Sequence, residues 1–122
     1  MSFKLPNNEK LKSRKMIAAL FSEGKSIANY PVRMIFLEQD ELDRTKAAFT
    51  VPKRNFKRAV DRNHFKRLMR EAYRLHKNKL NPNNGNHFAL LFLYIGRKDG
   101  GFGEIEKAIV SLLKKLPDLS NR

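Results

Sequence analysis

Cysteine is missing from this 122-residue chain. Its absence rules out a disulfide framework and a thiolate zinc site, and it fits a reducing compartment. Long apolar runs are missing too. The longest, Phe88 to Ile95, spans eight residues, against the ~20 that a membrane helix needs. Met1 to Asn8 lacks the basic-then-apolar pattern of a secretory signal, so a soluble, cytoplasmic protein is expected. Acids are scarce: twelve Asp+Glu stand against 26 Lys+Arg, a net charge of +14, and the pI is near 10.4. Such a chain repels itself unless a polyanion neutralises it, and nucleic acids and anionic membranes are the common ones.

What is present supports a folded core. The hydrophobic share of 41% and nine Phe exclude global disorder. The length allows one compact domain covering residues 1–122 and is too short for two. The charge is also concentrated. From Pro52 to Lys79 there are eleven Lys+Arg and two acids, so these 28 residues carry +9 of the +14.

Local signals predict the order αββαβα, an α/β (α+β) sandwich. Residues 1–7 read as an extended arm, and Asn8 can cap a helix running to about Glu23 with Gly24 as its stop. Val32–Leu37 and Ala47–Val51 read as strands, separated by an acidic turn at Glu38–Asp43. A basic loop, Lys53–Val60, leads to Asp61, a good N-cap for a helix from Arg62 to about Lys79. Breakers crowd Asn81–Asn86. Phe88–Ile95 is apolar throughout and should be a central strand covered on both faces. After a loop at Lys98–Gly103, a last helix, Glu104–Leu116, places Ile105, Ile109, Leu112 and Leu116 on one face, and Pro117 follows it.

The helix from Arg62 carries the functional signal. At about 100° per residue, Leu75, Leu68, Ala72, Phe65 and Met69 fall within roughly 120° and should pack on the sheet. Arg62, Lys66, Lys77, Arg70, Asn63, Arg74 and Arg67 fall within roughly 140° on the other side, with Tyr73 the only non-polar intruder and Glu71 outside the arc. The plain alternative is a solvated face. Solvated faces mix signs, however, because like charges at i,i+4 cost stability. The ladder Arg62/Lys66/Arg70/Arg74 is of one sign, so an external anion should offset its repulsion. Arginine forks suit phosphates and stack on bases. Membrane-surface binding fits poorly, since the face opposite the charges is needed for the core.

At these residues a family resemblance appears. Ala47-Ala48-Phe49-Thr50-Val51-Pro52-Lys53-Arg54, followed by Ala59-Val60-Asp61-Arg62-Asn63-His64-Phe65-Lys66-Arg67-Leu68-Met69-Arg70-Glu71-Ala72-Tyr73-Arg74, resembles the signature region of the bacterial ribonuclease P protein. That signature is a strand ending in a basic pair, then a helix opening Arg-Asn-Arg and continuing Lys-Arg-x-x-Arg-Glu. Leu11-Lys12 and Ile17 to Gly24 resemble the family's first helix with its aromatic pair. Two positions depart from the pattern. His64 stands third in the Arg-Asn-Arg motif, where an imidazole cannot make a guanidinium fork, so a modest weakening of RNA binding is expected. Ile17 replaces the first aromatic, while Phe21 keeps the second.

The resemblance implies a sandwich like one domain of a ribosomal protein, with a left-handed βαβ crossover where the general rule is right-handed. It implies an endoribonuclease subunit in a particle whose RNA does the chemistry and removes the 5′ leader of precursor tRNA. Lys53, Arg54, Lys57, Arg58, Arg62, Asn63, His64, Lys66, Arg67, Arg70 and Arg74 would contact the catalytic RNA. Ile17, Phe21, Arg33 and Ile35 would line a leader cleft between the first helix and the sheet. Periodicity alone would make Phe21 an ordinary core residue. It also leaves open whether Arg33/Ile35/Leu37 or Met34/Phe36 face the cleft.

No protein active site is expected. His64, His76 and His87 lack a metal-ligand pattern, and no paired carboxylates, phosphate loop or nucleophile elbow appears. The basic pole holds only Asp61 and Glu71, so Mg2+ should come through the RNA subunit and no cofactor through the protein. A structural, ribosomal-type RNA binder would share the charge and the fold class. A DNA regulator fits less well, because a strand and loop, not a second helix and short turn, precede the basic helix.

Overall fold

A computed structural model describes residues 9–38, 44–77, 87–96 and 101–120. The expected arm at 1–7 and its cap Asn8, most of the acidic turn, the breaker cluster 81–86 and the first half of the loop before the last helix lie outside them. The elements are α1 (Arg14–Glu23), β1 (Lys25–Asn29), β2 (Val32–Glu38), β3 (Lys46–Thr50), α2 (Ala59–His76), β4 (Phe88–Tyr94) and α3 (Phe102–Ser120). The expected order therefore holds, with one strand more. β1 forms a hairpin with β2 across Tyr30-Pro31. Its sequence, Lys-Ser-Ile-Ala-Asn, carries a single large apolar residue, because an edge strand buries little and so writes little into the chain.

The four strands lie in the order β1-β2-β4-β3. β2 is antiparallel to both β1 and β4, and β3 runs parallel to β4. Alternation sorts the side chains onto two faces. Val32, Met34 and Phe36 of β2 and Phe88, Leu90, Phe92 and Tyr94 of β4 join α2 and α3 in the larger core. Ile35, Ala89 and Leu91 join Leu11 and Leu20 in a smaller one under α1, with Leu37 and Leu93 packed against it. β4 is thus covered on both sides, as its unbroken apolar run requires.

The helix ends differ from expectation for local reasons. Ser13 caps α1, its Oγ accepting from the Met16 amide at 3.2 Å. The chain before it is held extended: Lys10 bridges to Ala47, and the Leu11 amide donates to the Ala47 carbonyl at 2.9 Å. At the other end the Gly24 amide donates to the Leu20 carbonyl. A Cβ on Gly24 would overlap that carbonyl oxygen and lie 2.9 Å from Ile35 Cγ2, so the close passage of α1 over β2 requires glycine here. α2 begins at Ala59, earlier than Asp61 would have it, with Arg58 at the cap position and no side-chain cap. Asp61 sits instead in the first turn, where a carboxylate complements the helix dipole. α3 starts at Phe102 and runs past Pro117 to Ser120, its apolar face packed into the core as far as Leu116.

The face that α2 buries is not quite the projected one. Phe65, Met69 and Ala72 are buried and Leu68 is packed against the core, but Leu75 is 47% exposed and Tyr73 is buried. The cause is β3. The Tyr73 ring fills the corner between Phe49 of β3, 5.9 Å away, and Phe92 of β4, 5.6 Å away, which turns the helix toward its Tyr73 side. Burial, with the Glu9 carboxylate nearby, pushes the Tyr73 phenol well above its ordinary range. His76 meets Glu106 of α3 at 2.8 Å, tying the two helices at the end of α2.

Candidate nucleic-acid interface

The register places the candidate RNA-contacting side chains at one end of the sheet. β3 ends at Thr50 and β4 at Tyr94, where β2 begins at Val32. The loop from Pro52 to Arg58 leaves at that end. Phe56 anchors it, with its ring 4.6 Å from Phe65 and 5.8 Å from Tyr94. Two turn bonds to the Pro52 carbonyl, from Asn55 and Phe56, shape the loop. The first turns of α2 are held there too, since Phe65 stacks on Tyr94.

Around this anchor Lys53, Arg54, Lys57 and Arg58 are exposed, as are Asn63, His64 and Arg67, while Lys66 and Arg70 are half-buried. Among the described residues, Lys53, Arg54, Lys57, Lys66, Arg67 and Arg70 have no ion-pair partner. Arg58 approaches Asp61 at 4.0 Å with both side chains well exposed, a contact worth little in water. His64 presents an edge to the Phe65 ring, with centroids 5.2 Å apart.

The ladder along α2 is not uniform. Arg62 Nη1 donates to the carbonyls of Phe56 and Lys57 at 2.8 and 2.7 Å. Arg74 donates twice to Glu71, at 2.5 and 3.3 Å, and this bonding holds its guanidinium more firmly cationic than usual. Glu71 is only 7% exposed, and through Arg74 it reaches the edge of an arc that projection kept free of carboxylates. The two ends of the ladder are thus satisfied within the protein. Lys66 and Arg70 in the middle, with Arg67 beside them, keep a one-signed field that costs stability in the free protein. Lys77, also on the projected arc, is paired to Glu9 at 2.5 Å.

On the opposite face of the sheet, β2 turns Arg33, Ile35 and Leu37 toward α1, which resolves the alternation left open above. Ile35 is buried beneath α1. Arg33 is half-buried and donates to Ser26 Oγ of β1 at 3.3 Å. Pairing sets Ala28, Arg33, Leu93 and Thr50 in one row across this face. All four keep some exposure, and the row lies at the sheet end from which the basic loop departs. Ile17 and Phe21, one turn apart on α1, flank its buried residue Leu20: Ile17 is half-buried and Phe21 is 61% exposed. Phe21 is therefore not the core residue that periodicity suggests. Ser26, Thr50 and Leu93 join this face through strand pairing alone. The alternation of Ala48 and Thr50 in β3 was the only local sign of it.

Among the described residues no three His, Asp or Glu stand together as a metal site, and no helix is long and apolar enough to cross a membrane.

Fold and surface together define a small α+β protein whose basic loop and mid-helix cations are largely uncompensated, the equipment of a phosphate-backbone binder. The chain belongs to the ribonuclease P protein family, whose model matches residues 5–117. It is 32% identical to the ribonuclease P protein component of Porphyromonas gingivalis, over 94% of this chain and 88% of that protein. It is 37% identical to that of Chlorobaculum tepidum, over 97% and 84%. The fold matches the RNase P protein of Staphylococcus aureus (TM-score 0.74, 22% identity, 88% of this chain and 94% of that one). It also matches that of Thermotoga maritima (TM-score 0.73, 23% identity, 88% and 96%). The chain is thus a protein subunit of a ribonucleoprotein endoribonuclease of tRNA 5′ processing, in which RNA does the catalysis.

Proposed function

We propose that the loop and α2 dock this protein on the catalytic RNA, while the α1 side of the sheet takes the 5′ leader of precursor tRNA. Lys53, Arg54, Lys57, Arg58, Asn63, Lys66, Arg67 and Arg70 are the RNA contacts, with His64 at their margin. Ile17, Phe21 and Arg33 line the leader path, and Ile35 backs it. The whole chain, 1–122, acts as one domain in the cytoplasm. Mg2+ is held by the RNA, and the protein's share is charge and position.

One observation carries this reading: the row Ala28–Arg33–Leu93–Thr50 and the basic loop share one end of the sheet. β3 passes directly from one to the other, so a strand lying along the row meets Lys53 and Arg54 within a few residues. Single-stranded RNA bound on the cleft face would run on to the surface that docks the catalytic RNA. Stacking on Phe21 would tolerate any base, as a variable leader requires.

The test is reconstitution with the catalytic RNA of the same organism and a precursor tRNA at low magnesium. The expected result is no cleavage by the protein alone and efficient cleavage by the pair, where the RNA alone is slow. Cleavage by RNA-free protein after rigorous nuclease removal would overturn the reading. Tight RNA binding with no effect on cleavage would favour a structural, ribosomal-type binder.

A further inference from the structure

We propose that Arg62 is a positioning residue that clamps the basic loop, and that its effect on RNA binding passes through Lys53, Arg54, Lys57 and Arg58 and not through a phosphate of its own. The inference rests on the reading of that loop as an RNA-docking element. One guanidinium nitrogen, Nη1, reaches two successive carbonyls, those of Phe56 and Lys57, at 2.8 and 2.7 Å. Its two hydrogens are accounted for by these acceptors. The side chain is half-buried, whereas Asn63 and Arg67, on the outer arc, are exposed.

Position explains why the side chain turns inward. Arg62 lies near the start of α2, where the helix dipole disfavours a cation, and two carbonyl dipoles offset that cost. The loop in turn needs a clamp. Its four cations are exposed and crowd into six residues, so their mutual repulsion favours opening. Against this the loop has two backbone bonds to Pro52, at 3.2 and 3.4 Å, and the Phe56 ring against Phe65 and Tyr94. The fork from Arg62 is the shortest polar contact the loop makes among the described residues. With it, the loop carbonyls turn to the helix while the Lys57 and Arg58 side chains stay outside. A preordered loop pays less ordering entropy when it binds.

Two measurements test the clamp. In the free protein, Arg62→Met should speed amide exchange at Asn55 and Phe56 about tenfold or more, the scale of one charged hydrogen bond. Unchanged exchange there would overturn the proposal. In binding to the catalytic RNA, measured at low salt to strengthen every phosphate contact, Arg62→Met should cost at least several-fold in the wild-type background. It should cost almost nothing when Lys53, Arg54, Lys57 and Arg58 are already alanine, because the residues act as one unit. An equal loss in both backgrounds marks a direct phosphate ligand and overturns the clamp. Arg62→Gln, whose amide nitrogen ends two bonds short of Nη1, cannot reach both carbonyls and should resemble Arg62→Met in both assays; it replaces that variant if methionine prevents folding. Retention of wild-type binding and exchange by Arg62→Gln would also overturn the clamp. If the wild-type protein fails to bind the RNA, the functional reading fails, and amide exchange still judges the clamp.

Discussion

Phe65 of α2 stacks on Tyr94 of β4, ring centroids 4.4 Å apart and planes 13° from parallel. The pair fastens the N-terminal turns of the basic helix to the sheet end where the loop and the open row meet. Phe65 is only 2% exposed and also supports Phe56 at 4.6 Å. Phe65→Ala should therefore cost about 3–5 kcal/mol of stability, read by thermal or denaturant unfolding. The loop should loosen with it. A loss under about 1 kcal/mol, the cost of a routine substitution, would mean that the stack does not fix the helix.

Lys66 and Arg67 test the opposite property. Neither has an ion-pair partner among the described residues, and both carry charge on the outer arc. Lys66→Ala and Arg67→Ala should each leave stability within about 0.5 kcal/mol of wild type. Each should weaken binding to the catalytic RNA and lower the salt slope by about 0.7–0.9 for every phosphate no longer neutralised. A collapse of the melting temperature would place these side chains inside the fold. An unchanged salt slope would remove them from the interface.

The contrast between Phe65 and Lys66 was legible in the sequence, because adjacent residues on a helix point about 100° apart and the charge pattern marks the outside. The unbroken run of β4, the face of α3 and the breaker after α1 were legible for the same kind of local reason. Three things were not. β1 is an edge strand with one large apolar residue, so nothing in its composition separates it from a loop. Tyr73 sits on the margin of the basic arc and turns inward only because Phe49 and Phe92 leave a corner for its ring. The separation of the arginines was hidden as well: Arg62 meets carbonyls that the loop brings back to it, and Arg74 meets Glu71 at i−3. A wheel shows where a guanidinium starts from, not which acceptor it finds.

His64 is exposed at the margin of the proposed interface and makes a T-shaped contact with the Phe65 ring. His64→Arg should strengthen binding to the catalytic RNA by at most about 1–2 kcal/mol, the value of one charged hydrogen bond. Filter-binding or fluorescence titration at fixed salt would show it as a rise in affinity without a change in melting temperature. Unchanged or weakened binding would mean that the partner RNA is fitted to the imidazole.

Phe21 tests the proposed leader recognition apart from general RNA binding. A large aromatic that is 61% exposed gains nothing for the core, since the residue beside it, Leu20, is the one buried over Ile35. Stacking contributes about 1–3 kcal/mol per base, and it is present with precursor tRNA and gone with mature tRNA. Phe21→Ala should therefore narrow the preference of the assembled enzyme for precursor over mature tRNA by about that amount. Affinity for the catalytic RNA should stay near wild type, because the loop and α2 surface do not include α1. Stability should hold as well, or improve slightly, with an apolar ring removed from water. The measurement is the affinity for precursors whose leaders are shortened one nucleotide at a time, with wild type and variant side by side. In the wild type, affinity should fall in steps as nucleotides are removed, and the variant should lack one of those steps. A flat series for the wild type would leave the α1 face without a ligand, and the protein would bind RNA through its basic loop and helix alone.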